Sequence, residues 1–180
     1  MALPDDHIQA LTTPLRLLLL DVDGVLTDGT ISVSGGGDER KSFFIRDGSA
    51  ILWARQSGIE VGLLSGRKSG ATAKRAAELK ITIVVEGVTD KRSALAKIAT
   101  AQGLSNEQIA FMGDDLLDLP VLQLAGLSAA PADASEEVRR RVHYVTQAPG
   151  GRGAVREFIE LILRGRGQWD PLVQRYLGTD

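Results

Sequence analysis

The stretch Leu17-Leu18-Leu19-Leu20-Asp21-Val22-Asp23-Gly24-Val25-Leu26-Thr27-Asp28-Gly29 decides how this chain is read. Four leucines run straight into two carboxylates one residue apart, and a glycine follows. An unbroken apolar run reads as a strand buried on both faces, the kind found in parallel sheets. Nothing in core packing asks for two anions at its carboxyl end. Crowded carboxylates cost free energy unless a cation or hydrogen bonds compensate. The pair therefore points to a site for a hard, oxygen-loving cation. The plainer reading is a strand running out into an Asp-Gly turn, and the pair alone does not dismiss it.

Outward from this segment, strand-like runs alternate with helical patterns. Strands are expected at 15–22, 59–64, 81–85, 109–112, 127–129 and 143–145, with helices at 49–56, 69–79, 91–101, 116–124, 135–141 and 154–163. The alternation predicts an α/β fold: a three-layer, Rossmann-like parallel sheet covered by helices on both faces. Asp47 is expected to cap the first of these helices, Gly58 and Gly103 to end helices in the left-handed conformation, and Pro120 to sit in a first turn. One segment breaks the rhythm. Two short β-like runs, 29–33 and 39–46, flank Ser34-Gly35-Gly36-Gly37-Asp38, which reads as a hairpin flap hanging over the acidic motif. Residues 165–180 are irregular, and carry Trp169 and Tyr176 in a chain only 4% aromatic. They read either as a frayed tail or as a segment that docks. With no repeat and no long linker, residues 1–180 are expected to form a single domain.

Composition narrows the function. The 180 residues are 43% hydrophobic and 24% charged, with a net charge of −2, so there is no electrostatic case for nucleic acid or an anionic membrane. No apolar run is long enough to span a bilayer. Residues 1–9 lack the layout of a signal peptide, so the cytoplasm is expected. There are no cysteines and two histidines, so a carboxylate-bound Mg²⁺ fits better than zinc.

The strongest argument combines positions. Asp21 and Asp23 end one strand, Ser65-Gly66-Arg67-Lys68 follows the next, Lys91 opens a helix, and Gly113-Asp114-Asp115, with Asp118, follows the strand at 109–112. In a parallel sheet these ends share one rim, where open α/β sheets bind ligands. The inventory suits one divalent cation and one phosphoryl group. Each piece alone has a plainer explanation, such as a turn, a helix cap or a solvated lysine. An EF-hand fails because Val25 falls at its fifth position and a leucine strand precedes it. A two-component receiver domain would need an aspartate where Val85-Glu86-Gly87 stands.

Asp21-Val22-Asp23-Gly24-Val25-Leu26-Thr27, Ser65, Lys91 and Gly113-Asp114-Asp115-Leu116-Leu117-Asp118 resemble the four ordered motifs of the haloacid dehalogenase superfamily of phosphohydrolases. Asp28-Gly29, Arg46-Asp47-Gly48, Ser65-Gly66-Arg67-Lys68 and Gly150-Gly151-Arg152-Gly153-Ala154-Val155-Arg156-Glu157 resemble, more narrowly, the 3-deoxy-D-manno-octulosonate 8-phosphate phosphatase family. The likeness covers 15–163. Val25 departs from it, standing where many members of the superfamily carry threonine. The resemblance implies Asp21 as nucleophile and Asp23 as general acid and base. It implies Mg²⁺ held by Asp21, the Asp23 carbonyl and Asp114, with Asp115 supporting a metal-bound water. Ser65, Gly66 and Lys91 would hold the phosphoryl group. It further implies hydrolysis of a phosphorylated sugar acid that supplies lipopolysaccharide synthesis, in a homotetramer whose subunits complete each other's sites.

The gaps between motifs speak to substrate independently. From Asp23 to Ser65 there is room for the hairpin and one helix, and from Ser65 to Lys91 for one helix and one strand. Neither holds a cap domain. An uncapped rim needs either a large substrate or a second subunit to close it. Arg46, Arg67 and Lys68 are the candidates for an anionic sugar acid. Two alternatives stand beside this reading: a phosphatase for another ulosonic acid phosphate, such as a nine-carbon one, and a non-catalytic subunit with the same fold.

Overall fold

Helix α1 (Asp5–Thr12) leads into β1 (Leu17–Leu20), the central strand. A short hairpin follows, β2 (Ser32–Val33) and β3 (Glu39–Arg40), then α2 (Ile45–Gln56), β4 (Glu60–Leu64), α3 (Gly70–Glu78), β5 (Ile83–Val85) and α4 (Lys91–Gln102). The second half runs through β6 (Ile109–Met112), α5 (Leu119–Leu122), β7 (Leu127–Ala130), α6 (Glu136–Arg139), β8 (Tyr144–Val145), α7 (Ala154–Gly165) and α8 (Trp169–Leu177). This computed structural model describes residues 5–37 and 39–178. Met1 to Pro4 of the segment read for a signal peptide, Asp38 of the glycine-rich turn, and Thr179 and Asp180 of the tail lie outside the described residues.

Six strands form one parallel sheet in the order β5-β4-β1-β6-β7-β8. Leu17–Leu20 pair with Glu60–Leu63 on one side and Ile109–Met112 on the other. All four leucines are therefore buried, and the pleat divides them. Leu18 and Leu20 join the core under α2, α3 and α7, while Leu17 and Leu19 join the core under α4, α5 and α6. Burying each such side chain contributes about 2 kcal/mol before conformational entropy is counted. The chain leaves β1 for β4 on one flank and later returns to β6 on the other. The switch in strand order thus falls at β1, at the carboxyl ends of β1, β4 and β6. No helix among the described residues is long and apolar enough to cross a membrane.

Several expected boundaries move. The first strand stops at Leu20, because Val25, Leu26 and Thr27 all donate to the Val22 carbonyl and close a tight loop. The hairpin is narrower than 29–46, and Arg46 lies in the first turn of α2. The helix expected at 116–124 divides into a 3₁₀ turn (Leu116–Asp118) capped by Asp115, then α5 with Pro120 in its first turn. Asp47 does not cap its own helix, whose N-cap is Phe44 without a side-chain bond. It is buried and accepts the N–H groups of Gly153 and Arg156, capping α7 instead. Residues 165–178 dock. Trp53 meets Trp169 and Tyr176 edge-on, its indole N–H donates to the Tyr176 hydroxyl at 2.8 Å, and Arg164 stacks over Trp169. Gly58 and Gly103 adopt positive φ, as the helix ends require.

Candidate active site

The loop after β1 is shaped by close approach. Gly24 has φ +88°, and a Cβ there would lie 2.1 Å from Asp114 Oδ2. Glycine is what lets the two acidic loops meet. Thr27 is buried, its hydroxyl accepting the Gly24 and Gly29 N–H groups and donating to Val22 O. From behind, the 150–153 loop braces this turn. Gly151 N–H donates to Val25 O at 2.9 Å, and a Cβ on Gly150 would come within 1.8 Å of Gly24 O. The glycine-rich stretch before α7 therefore shapes the acidic loop although it carries no reactive group.

A cavity of about 230 Å³ opens at the carboxyl rim, lined by Asp21, Asp23, Ser65, Gly66, Arg67, Lys91 and the Asp114–Asp118 turn. Lys91 Nζ is buried 3.0 Å from Asp21 Oδ2 and 2.5 Å from Asp118 Oδ1. Burial opposes the charge on Lys91, but Asp21 and Asp118 overcome that and raise its pKa. Ser65 is buried and its oxygen accepts the Arg67 N–H, which leaves the hydroxyl proton to donate. Asp118, in the same acidic motif, gains its role from the fold. Its Oδ2 accepts the N–H groups of Asp114 and Asp115, and its Oδ1 holds Lys91. Asp115 is exposed and accepts the Leu116 N–H, so it caps the 3₁₀ turn.

Two of the three substrate candidates stand apart from this cavity. Arg67 lines it, with its guanidinium 3.0 Å from Glu39 Oε2 and 3.8 Å from Asp23 Oδ2. Arg46 is exposed on α2, and Lys68 runs beside Gly87 and lines a separate shallow cleft with Ser69 and Glu86. A residue absent from the sequence reading comes in from the hairpin. Lys41 Nζ, with no exposed side-chain area, lies 2.7 Å from Asp23 Oδ1. The contact is an ion pair without hydrogen-bond geometry, and neither Asp23 oxygen accepts a well-aligned hydrogen bond. Its signal was faint: Glu39 and Lys41 fall on one face of β3 and its continuation.

The electrostatics favour a cation. Burial, then the charge of Asp118, pushes the Asp21 carboxyl up to about 7. Burial, then Asp21 and Asp118, pushes Asp114 up to about 8. Oxygens of Asp21, Asp114 and Asp118 lie within 4.8 Å of one another. Asp118 already spends both oxygens on Lys91 and two N–H groups, so Asp114 and Asp21, whose Oδ2 alone faces Lys91, are the better placed ligands. Two crowded carboxylates that hold protons near neutral pH suit a hard divalent cation with oxygen ligands.

The fold and the rim define the class: a haloacid dehalogenase-like hydrolase, whose family model matches residues 80–159. The chain is 43% identical over 163 residues to the 3-deoxy-D-manno-octulosonate 8-phosphate phosphatase of Escherichia coli strain B, covering 91% of this chain and 87% of that one. It superposes with a TM-score of 0.93, at 34% identity, on the Moraxella catarrhalis 3-deoxy-D-manno-octulosonate 8-phosphate phosphatase solved with magnesium, phosphate and KDO, covering 95% of this chain and 98% of that one. The cobalt-bound Haemophilus influenzae phosphatase matches with a TM-score of 0.86 at 37% identity, covering 88% and 93%. The chain belongs to the 3-deoxy-D-manno-octulosonate 8-phosphate phosphatase family.

Proposed function

We propose that this protein is a Mg²⁺-dependent phosphomonoesterase that hydrolyses 3-deoxy-D-manno-octulosonate 8-phosphate to the free sugar acid and phosphate, a step that supplies lipopolysaccharide precursors. The observation that carries the reading is the convergence of Asp21, Ser65, Lys91 and Asp114 on one rim cavity, in a chain similar along most of its length to phosphatases of that substrate.

The residues supply each part of the reaction. Asp21 attacks phosphorus in line, its carboxylate oxygen forming the new P–O bond as the bond to the sugar oxygen breaks. Lys91 and the Ser65 hydroxyl, with the Gly66 N–H, hold the phosphoryl oxygens. Asp23 gives its proton to the departing sugar oxygen. In the second half it takes one from the water that cleaves the aspartyl phosphate. Magnesium bound by Asp21, the Asp23 carbonyl and Asp114 would neutralise charge between the carboxylate and the phosphate dianion.

Arg67 is the cation we assign to the sugar-acid carboxylate. Arg46 and Lys68 do not line their own chain's cavity, and we place them as contacts to a neighbouring subunit's site in a homotetramer. The exposed Val33, Ile45 and Leu117 support such an assembly, because they leave apolar side chains uncovered, Leu117 at the cavity itself. We place the reaction in the cytoplasm, since a phosphorylated sugar acid carries several charges and does not cross a bilayer unaided. The test is phosphate release from a panel of phosphorylated sugar acids, eight- and nine-carbon, with Mg²⁺ and with chelator. The eight-carbon ester should lead, and chelation should abolish turnover. Full activity in excess chelator, or indifference across the panel, overturns the reading.

A further inference from the structure

We propose that Lys41 is a positioning residue for the reaction: from the hairpin, it fixes Asp23 so that Oδ1 is taken by a buried ammonium and Oδ2 alone exchanges the proton with the leaving oxygen. This rests on the phosphatase reading above. Lys41 Nζ sits 2.7 Å from Asp23 Oδ1, 3.7 Å from Glu39 Oε1 and 3.4 Å from the buried Thr72 hydroxyl. Its side chain has no exposed area, so it does not touch a substrate in the cavity and acts only through Asp23. The second cation differs. Arg67 lies 3.8 Å from Oδ2, is 55% exposed, and lines the cavity itself.

A network of opposite charges holds this arrangement. Glu39 accepts from the Ser69 hydroxyl at 2.6 Å and from Arg67 at 3.0 Å, and it also faces Lys41. Lys41 and Arg67 thus both face Glu39 and Asp23, and these contacts tie β3 to the N-terminus of α3, which Ser69 caps. A carboxyl group without well-aligned hydrogen bonds turns freely about its last torsion. A buried ion pair at one oxygen removes that freedom, and fixed orientation is worth orders of magnitude in a proton-transfer step. The transfer itself balances simply. The Oδ2–H bond breaks as its proton passes to the sugar oxygen leaving phosphorus. A proton from the attacking water later restores it as the Asp21–phosphorus bond is cleaved.

Leaving-group dependence separates this role from a merely structural one. An alkyl phosphate needs protonation as it departs, whereas an aryl phosphate leaves as a stable phenolate. Lys41→Met should lower kcat on 3-deoxy-D-manno-octulosonate 8-phosphate by roughly 10-fold or more, with KM changed less than about twofold. The rate of the first phosphoryl transfer from p-nitrophenyl phosphate, read as a pre-steady-state burst, should fall less than about threefold. Lys41→Arg should recover part of the lost kcat. The double variant Lys41→Met with Glu39→Gln removes one cation and one anion together, and should show the same contrast between substrates if Lys41→Met alone fails to fold. An equal loss on both esters, a change confined to KM, or an unchanged kcat on the sugar phosphate overturns the proposal. A wild-type protein inactive on every phosphorylated sugar acid with Mg²⁺ overturns the phosphatase reading instead.

Discussion

Asp21 and Asp23 are two residues apart, yet they meet different surroundings. Asp21 is buried against Lys91 and crowded by Asp118, while Asp23 stands between Lys41 and Arg67. The division suits one group that attacks phosphorus and one that moves protons. Asp21→Asn should abolish turnover with the fold intact, because an amide is no nucleophile. Asp23→Asn should slow the reaction by about 10²-fold or more. Steady-state assays beside circular dichroism check both, and a near-normal rate for Asp21→Asn would mean that another group attacks. Metal linkage belongs to this scale too. Without a cation Asp21 and Asp114 titrate near 7 and 8, well above the unfolded aspartate value of about 4. The folded state then binds extra protons, a stabilisation present in full below the unfolded pKa and lost as pH rises through 7 and 8. The metal-free protein should therefore melt lower as pH climbs from about 5 to about 8.5, and the rise in Tm on adding Mg²⁺ should widen across the same window as binding displaces protons. Melting curves with Mg²⁺ and with chelator would show this, and a gap independent of pH would count against Asp21 and Asp114 as the ligands.

At the scale of elements, α2 and α7 are joined by a carboxylate. Asp47, in the first turn of α2, accepts the N–H groups of Gly153 and Arg156 and so caps α7 just after the loop that braces Gly24. Asp47→Ala should cost about 1–2 kcal/mol and lower Tm by roughly 2–8 °C. It should also depress kcat, because the 150–153 loop loses its anchor beside the acidic turn. Asp47→Asn keeps an acceptor and should lose less. Equal activity in Asp47→Ala and wild type would show that the brace is immaterial to the site. The cap also shows why parts of the architecture were hidden in the sequence. Leucine runs, alternating helices, glycine helix ends and the rim acids Asp21, Asp23 and Asp114 are local signals, and they placed the sheet and the cavity. Asp47 and Lys41 bond residues distant in sequence: Asp47 reaches across 106 and 109 positions, and Lys41 reaches Thr72 across 31. No periodicity records such pairings. The tail was ambiguous for the same reason, since only the fold brings Trp53 to Trp169 and Tyr176.

For the whole molecule the open question is what closes the rim. The hairpin is anchored within its own chain by Glu39 and Lys41, so it does not require a partner to hold its place. Exposed apolar side chains on the hairpin and beyond it do call for one. Val33 is 68% exposed and Ile45 is 78% exposed, and Leu116 and Leu117 stand uncovered beside the acidic turn. Apolar surface around an uncapped site is satisfied most economically by symmetric association of identical chains. Ile31, just before β2, and Val33 lie two apart, which in an extended chain puts them on the same side. Introducing Glu at both positions should dissociate the homotetramer we propose without disturbing the Lys41–Asp23 pair, which involves neither residue. KM for the sugar-acid phosphate should then rise, because the contacts we place on a neighbouring subunit would be lost. KM for a small phosphate ester should change little, since Ser65, Lys91 and Asp21 of one chain suffice to hold it. Light scattering paired with both kinetic assays decides the matter. A double variant that is monomeric yet keeps the wild-type preference between the two esters would show that each chain carries its whole site, and Arg46 and Lys68 would then have no place in substrate recognition.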